Sequence, residues 1–170
     1  HTFRIQLTHE AVPTESNVIT LHPAVLSLGV GCERGADSQE LLDLVEKTLR
    51  EEGLSKEAIS CVCSIDLKGD EVAVIKLAKT LDVPLRLFDA ATLEDETPRV
   101  ANPSDYVFDT VGCHSVSEAA ALAAAGKSST LVVPKSKSQR ATCAIAQAPE
   151  IIDPRNVGKS RGRLTIIGIG

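Results

Sequence analysis

The chain has 170 residues, a formal net charge of −5, 43% hydrophobic residues and only 2% aromatic ones. That length and apolar content suit one domain with a core of Leu, Val, Ile and Ala. An acidic chain this poor in aromatics lacks the basic footprint and stacking platforms of a nucleic-acid binder. No apolar run approaches the roughly 18 residues that a membrane span needs. The first residues lack the charged start and apolar stretch of a signal peptide. The sequence opens on His1 and holds no methionine, so a piece of a longer or processed protein is expected. The five cysteines, Cys32, Cys61, Cys63, Cys113 and Cys143, are odd in number and show no disulfide spacing. They are read as small buried residues of a cytoplasmic protein.

In chain order, residues 1–22 are polar without a sustained period and are expected as an arm or linker. Pro23 opens a first strand at residues 24–28, and a loop with Gly29, Gly31 and Gly35 follows. Asp37 is expected to cap the next helix, with Glu40 three residues on as in a capping box. Leu41, Leu42, Leu44, Val45 and Leu49 make its apolar stripe, and Gly53 its left-handed end. Residues 61–67 have strand character, and Cys61 and Cys63 point to one face. A second helix is predicted over 70–81, with Asp70 and Glu71 in its first turn. A strand at 84–88 completes strand–helix–strand–helix–strand, the signature of a parallel α/β sheet. Ser104 is expected to cap a short helix to Thr110. Ser115 and Glu118 read as the capping box of an alanine-rich helix that ends at Gly126. Strands at 130–134 and 141–148 are joined by KSKSQR as an antiparallel hairpin. The expected architecture is three-layer α/β/α, with a mixed sheet of about five strands, mostly parallel. Residues 23–148 form that domain. Residues 149–159 read as a linker, and RGRLTIIGIG as a fresh strand entering a glycine turn.

Glycines between a strand and a helix suggest a nucleotide loop. A dinucleotide fingerprint needs G-x-G-x-x-G with an acid about 20 residues on. Here the third glycine is one position late, and the next strand ends at Asp66, about 30 residues beyond the loop, which is too far. No Gly-Lys-Ser/Thr follows the loop, so a phosphate-binding Walker loop is excluded as well. Two readings stay open: a tight strand-to-helix turn, or a loop whose amides and helix N-terminus attract an anion. Ligands of open α/β sheets bind outside the carboxyl ends of the strands. The loops expected there bring Arg34, Lys68 and Glu71 near the glycine amides, and the hairpin adds Lys135, Lys137 and Arg140. Cations at loop ends of an acidic protein suggest an anionic ligand. The alternative is an ordinary solvated turn.

Four motifs, GVGCERG, SIDLKGDE, NPSDYVFDTVGCHSVSEAAAL and VPKSKSQRATCAIA, occur in this order between residues 24 and 148. Together they resemble the CbiG C-terminal/CobE family of cobalamin biosynthesis. The final RGRLTIIGIG resembles the opening strand and glycine turn of tetrapyrrole methyltransferases. Residues 149–170 are therefore read as a linker and the start of a fused precorrin-3B methyltransferase of the CobJ/CbiH type.

The resemblance implies a corrin-intermediate-binding domain of a cobalt-precorrin-5A hydrolase, which opens a δ-lactone and releases acetaldehyde. The alternative is a non-catalytic CobE-like carrier that hands corrin intermediates to the methyltransferase. The expected ligand is a carboxylate-fringed precorrin, and the expected partners are other cobalamin-pathway domains, with no nucleic acid and no membrane. No metal site or cofactor is expected in the domain. Cobalt would arrive inside the substrate, and S-adenosylmethionine would belong to the methyltransferase. Lactone opening needs a base and oxyanion donors. Glu71 or Asp66 is the expected base, and Lys68 or the loop amides the oxyanion donors. The expected substrate-binding set is Gly29, Gly31, Cys32, Arg34, Gly35, Lys68, Gly112, His114, Ser115, Glu118, Lys135, Lys137 and Arg140. Adjacent Cys113 and His114 rarely point together, so a catalytic Cys–His pair is not expected.

Overall fold

The computed structural model describes residues 2–162; residues 163–170, where most of the expected final strand falls, lie outside the described residues. A small parallel ribbon comes first, β1 (Arg4–Leu7) paired with β2 (Val18–Leu21). The polar arm expected over 1–22 thus contains sheet, and its apolar residues Phe3, Ile5, Leu7, Ile19 and Leu21 are exposed. The main sheet holds β3 (Leu26–Cys32), β4 (Ile59–Ile65), β5 (Leu85–Phe88), β6 (Thr130–Lys137) and β7 (Ala141–Gln147). Its spatial order is β5-β4-β3-β7-β6. The β3, β4 and β5 strands run parallel, and β7 is antiparallel to both β3 and β6.

Helices α1 (Ser38–Glu52) and α2 (Val72–Leu81) cover one face of the sheet; α3 (Ala90–Glu94), α4 (Asp105–Val111) and α5 (Ser117–Ala125) lie on the other side. This is the three-layer mixed α/β fold read from the sequence.

The alternation LSLGVGC explains how β3 serves both layers. Leu26, Leu28 and Val30 enter the core beneath α1 and α2. Ser27, Gly29 and Gly31 face α5, itself mostly alanine. The Ser27 hydroxyl donates to the Ala121 carbonyl at 2.6 Å. A Cβ on Gly29 would stand 1.9 Å from the Ser117 carbonyl oxygen, so helix and strand approach through backbone. Gly29 and Gly31 are therefore strand residues, not loop residues as expected.

The capping predictions divide. Asp37 caps α1 by accepting from the Gln39 N–H at 3.0 Å, and Gly53 ends it at φ 65°. Ser104 caps α4 by accepting from the Val107 N–H. Neither expected capping box forms. Val116 stands at the start of α5 without a side-chain cap, and Glu40 and Glu118 both turn to distant backbone. Helix α2 begins at Val72, leaving Asp70 and Glu71 outside it.

The segment read as a linker over 149–159 packs against the sheet. The Ile152 N–H donates to the Ala24 carbonyl, and the Ser60 hydroxyl to the Ile152 carbonyl. Leu87 and Lys159 exchange backbone hydrogen bonds of 2.8 Å, which covers part of the exposed β5 edge.

Candidate functional site

Chain order sends β4 and β5 to one side of β3 and the β6–β7 hairpin to the other. The crevice at such a reversal, outside the carboxyl ends of the parallel strands, is where open α/β sheets place ligands. Cys32 ends β3 there. Its thiol is raised by burial and further by Glu71, while Lys68, Arg34 and Arg140 pull it down. Those four charged residues therefore surround it, drawn from three separate loops.

Several of the expected binding groups hold the loops to one another. The Arg34 guanidinium donates to Asp70 at 2.6 Å, to Glu71 at 3.1 Å and to the Leu67 carbonyl at 2.7 Å. Glu71 is buried and accepts from the Gly35 N–H at 3.3 Å. Glu71 thus spends its carboxylate on the Arg34 guanidinium and the Gly35 amide, which makes it a loop clamp and not the expected free base. Arg140 donates to Glu33 at 3.0 Å and to the Arg34 carbonyl at 2.8 Å. The amides at Gly29 and Gly31 lie within the ladder to β4 and β7, so the expected loop donors reduce to the residues after Cys32.

Glu118 is fully buried, and its carboxylate accepts from the Asn102 N–H at 2.8 Å, the Asn102 side-chain amide at 3.1 Å and the Lys135 N–H at 3.0 Å. It ties α5 to β6 and to the loop before α4, which replaces its expected substrate contact. Ser115 is buried too, and its hydroxyl has no partner. Gly112 ends α4 at φ 86° and is exposed.

Lys68 and Asp66 follow β4, the first half-buried and the second exposed. Lys68, Lys135 and Lys137 have no salt-bridge partner among the described residues. A cleft of about 830 Å³ opens beside the Lys68 loop, walled by Arg34, Asp66, Leu67, Phe88, Thr92 and Arg161, among others, whereas Lys135 and Lys137 stand on β6 at the opposite edge of the sheet and off its wall. Leu67 and neighbouring Val72 are 52% and 58% exposed, an apolar rim beside the cations. Cation, apolar wall and backbone donors can hold an amphipathic anion.

Five contributors were absent from the expected site set. Asp89 and Thr92 wall the cleft from the start of α3, Lys159 reaches it from the supposed linker, and Arg161 from the start of the expected final strand. Glu94 is bonded to His114, 20 residues away. The reading of residues 89–103 as a short helical turn and a loop matches α3, but nothing in local spacing relates Glu94 to His114. Among the described residues no cluster of His, Cys, Asp or Glu is placed to hold a metal, and no helix is long and apolar enough to cross a membrane.

The comparisons agree with this architecture. The CobE protein of a Sinorhizobium species is 43% identical over 123 residues, spanning 72% of this chain and 80% of that protein. A cobalt-precorrin-5A hydrolase of Priestia megaterium is 33% identical over 133 residues, 78% of this chain but 35% of that enzyme. The chain thus spans about a third of the hydrolase's length. The crystal structure of a CobE, described as a protein of the cobalamin (vitamin B12) biosynthetic pathway, superposes with a TM-score of 0.66 at 36% identity. That match covers 74% of this chain and 91% of the other. Residues 26–146 match the family model described as cobalamin synthesis G C-terminus, and the chain belongs to that family of cobalamin biosynthesis proteins.

Proposed function

We propose that this chain binds an anionic corrin precursor across the carboxyl ends of β3, β4 and β5, as a domain of a cobalt-precorrin-5A hydrolase. The observation that carries this reading is the cleft itself, with Leu67 and Phe88 on its wall, Arg161 at its mouth and Lys68 beside it. Carboxylates on the ring edge meet the cations, and the ring face meets the apolar wall. Relatives named for the hydrolase and for CobE support the choice of ligand. Cobalt, where present, enters as part of the ring, and the remaining catalytic domains are partners of this one. Five unpaired thiols are in keeping with a cytoplasmic setting.

Titrating the chain with cobalt-precorrin-5A while following the visible spectrum tests the site. Lys68→Ala and Arg161→Ala should each weaken binding about tenfold, the loss of one charge-assisted contact of roughly 1.4 kcal/mol. Both effects should shrink as salt is raised. Unchanged affinity in both variants would place the ring elsewhere.

A further inference from the structure

The loop entering α5 carries one histidine, and three contacts set its ring. Glu94, the last residue of α3, accepts from the His114 backbone N–H at 2.9 Å and stands 2.8 Å from Nδ1. Phe108 of α4 stacks on the imidazole with centroids 4.5 Å apart and planes at 23°. Nε2 faces Asp105 at 3.4 Å, a side chain that is 99% exposed. Burial works to raise the Glu94 carboxyl, but hydrogen bonds from the His114 amide and ring outweigh it and hold it below the ordinary value.

An ionised carboxylate has no hydrogen to donate. In the neutral imidazole Nδ1 therefore carries the proton, and the open lone pair is on Nε2. A carboxylate that fixes the tautomer and aim of an imidazole is how hydrolases orient a base. Pinning the loop alone would need only the backbone bond; the ring bond and the stack also orient Nε2. His114 is not on the cleft wall, but its loop adjoins that wall. Gly112 of the same loop packs against Ala90, next to Asp89, and Asp89 and Thr92 wall the cleft.

We propose that His114 is the general base for water addition to the lactone of a ring that reaches from the cleft past α3 to the loop entering α5, with Glu94 as its positioning residue; this rests on the ring-binding reading above. The water oxygen bonds to the lactone carbonyl carbon as its proton passes to Nε2. The tetrahedral oxyanion then collapses, the bond from the carbonyl carbon to the ring oxygen breaks, and the leaving alkoxide takes the proton from the imidazolium. A carboxylic acid and an alcohol result, with water as co-reactant. Glu94 and Asp105 are the charged groups facing the imidazole.

The test uses the full chain with cobalt-precorrin-5A, reading binding from the visible spectrum and turnover from the ring-opened hydroxy acid, one water heavier by mass spectrometry. His114→Gln should bind the ring within about threefold of wild type yet turn over roughly 100-fold more slowly. Glu94→Gln should slow turnover less, with ring binding unchanged, and the ¹⁵N spectrum of that variant should show the His114 ring no longer fixed in one tautomer. Glu94→Asp should recover part of both effects. The ¹⁵N spectrum of the native protein should show His114 protonated on Nδ1 and bare on Nε2 at neutral pH. Equal turnover by His114→Gln, the opposite tautomer, or ring binding by wild type without lactone opening would overturn the proposal. Absence of binding by wild type would instead remove the ring site, and the proposal with it.

Discussion

Gly29 shows how one residue type supports two opposite readings. In the sequence it stands among glycines before a helix, where a loop for an anion is expected. In the fold it is the point where α5 rests on β3, and the strand's alternation of large and small residues was the available signal. A methyl group there meets the Ser117 carbonyl at 1.9 Å and the Ala121 nitrogen at 2.8 Å, both backbone atoms that cannot rotate away. Gly29→Ala should therefore destabilise by about 3 kcal/mol, the upper end of the usual range for overpacking. A urea melt checks this, and an unchanged midpoint would mean that α5 is not held so closely. Glu118 makes the same point for charge. Glu118→Ala strands three N–H donors, two of them backbone, and should cost about 3 kcal/mol or more. Its loss would be read in the same melt without any ligand present. At this scale the residue types were legible, but their partners were not, because Asn102 and Lys135 reach Glu118 only through the turn of the chain.

The elements themselves were largely legible, since each is set by local periodicity. The buried stripe of α1 is Leu41, Leu44, Val45, Thr48 and Leu49, nearly the predicted one. Leu42 is the exception and lies only partly buried. Ends were less legible, because a capping glutamate has a choice. Glu40 accepts from the Ser138 hydroxyl at 2.7 Å and the Arg140 N–H at 2.9 Å, fastening α1 to the β6–β7 turn. A capping box offers it only its own helix start, whereas the turn presents two donors at once. Glu40→Ala should therefore speed hydrogen exchange at the Arg140 amide. Exchange should stay slow in the middle of β7, where Ala144 and Ile145 are fully buried. Equal acceleration throughout the hairpin would show that the ladder, not the clamp, was lost.

For the whole molecule, the charge pattern defines a window of stability. The Arg34 hydrogen bond holds Asp70 below the ordinary carboxylate value; the Thr92 amide does so for Asp89, and Arg155 for Asp153. Lowered carboxyls contribute stability that is complete above their unfolded values and is lost as pH falls through the folded ones. The buried thiols work in the opposite sense. Desolvation raises Cys63, Cys143 and Cys113, the last to about 11. Their contribution is complete below the unfolded thiol value and is lost as pH rises toward the folded ones. The urea midpoint should thus be flat from roughly pH 5 to 8 and fall on both sides. Cys113→Ala should soften the alkaline limb. Native protein should also release one thiol quickly to a disulfide reagent, half-buried Cys32, and all five after unfolding. Rapid reaction of several native thiols would contradict the packed core.

The sequence by itself determined the layers. Hydrophobic period, caps and turn residues act over a few positions, so they survive without knowledge of the rest of the chain. The four motifs likewise carried the family, because their order is a property of the chain alone. Tertiary structure alone decided what the charged and small residues do. Arg34, Glu71, Arg140 and Glu118 look like ligand groups in sequence and become clamps in space; the buried Glu71 and Glu118 must find their partners within the fold, and the arginines reach across loops, Arg34 to Glu71 and Arg140 to the Arg34 carbonyl. The same folding gave His114 a partner in Glu94 and brought Lys159 and Arg161 to the cleft. Such pairings depend on long-range geometry, and no local spacing encodes them.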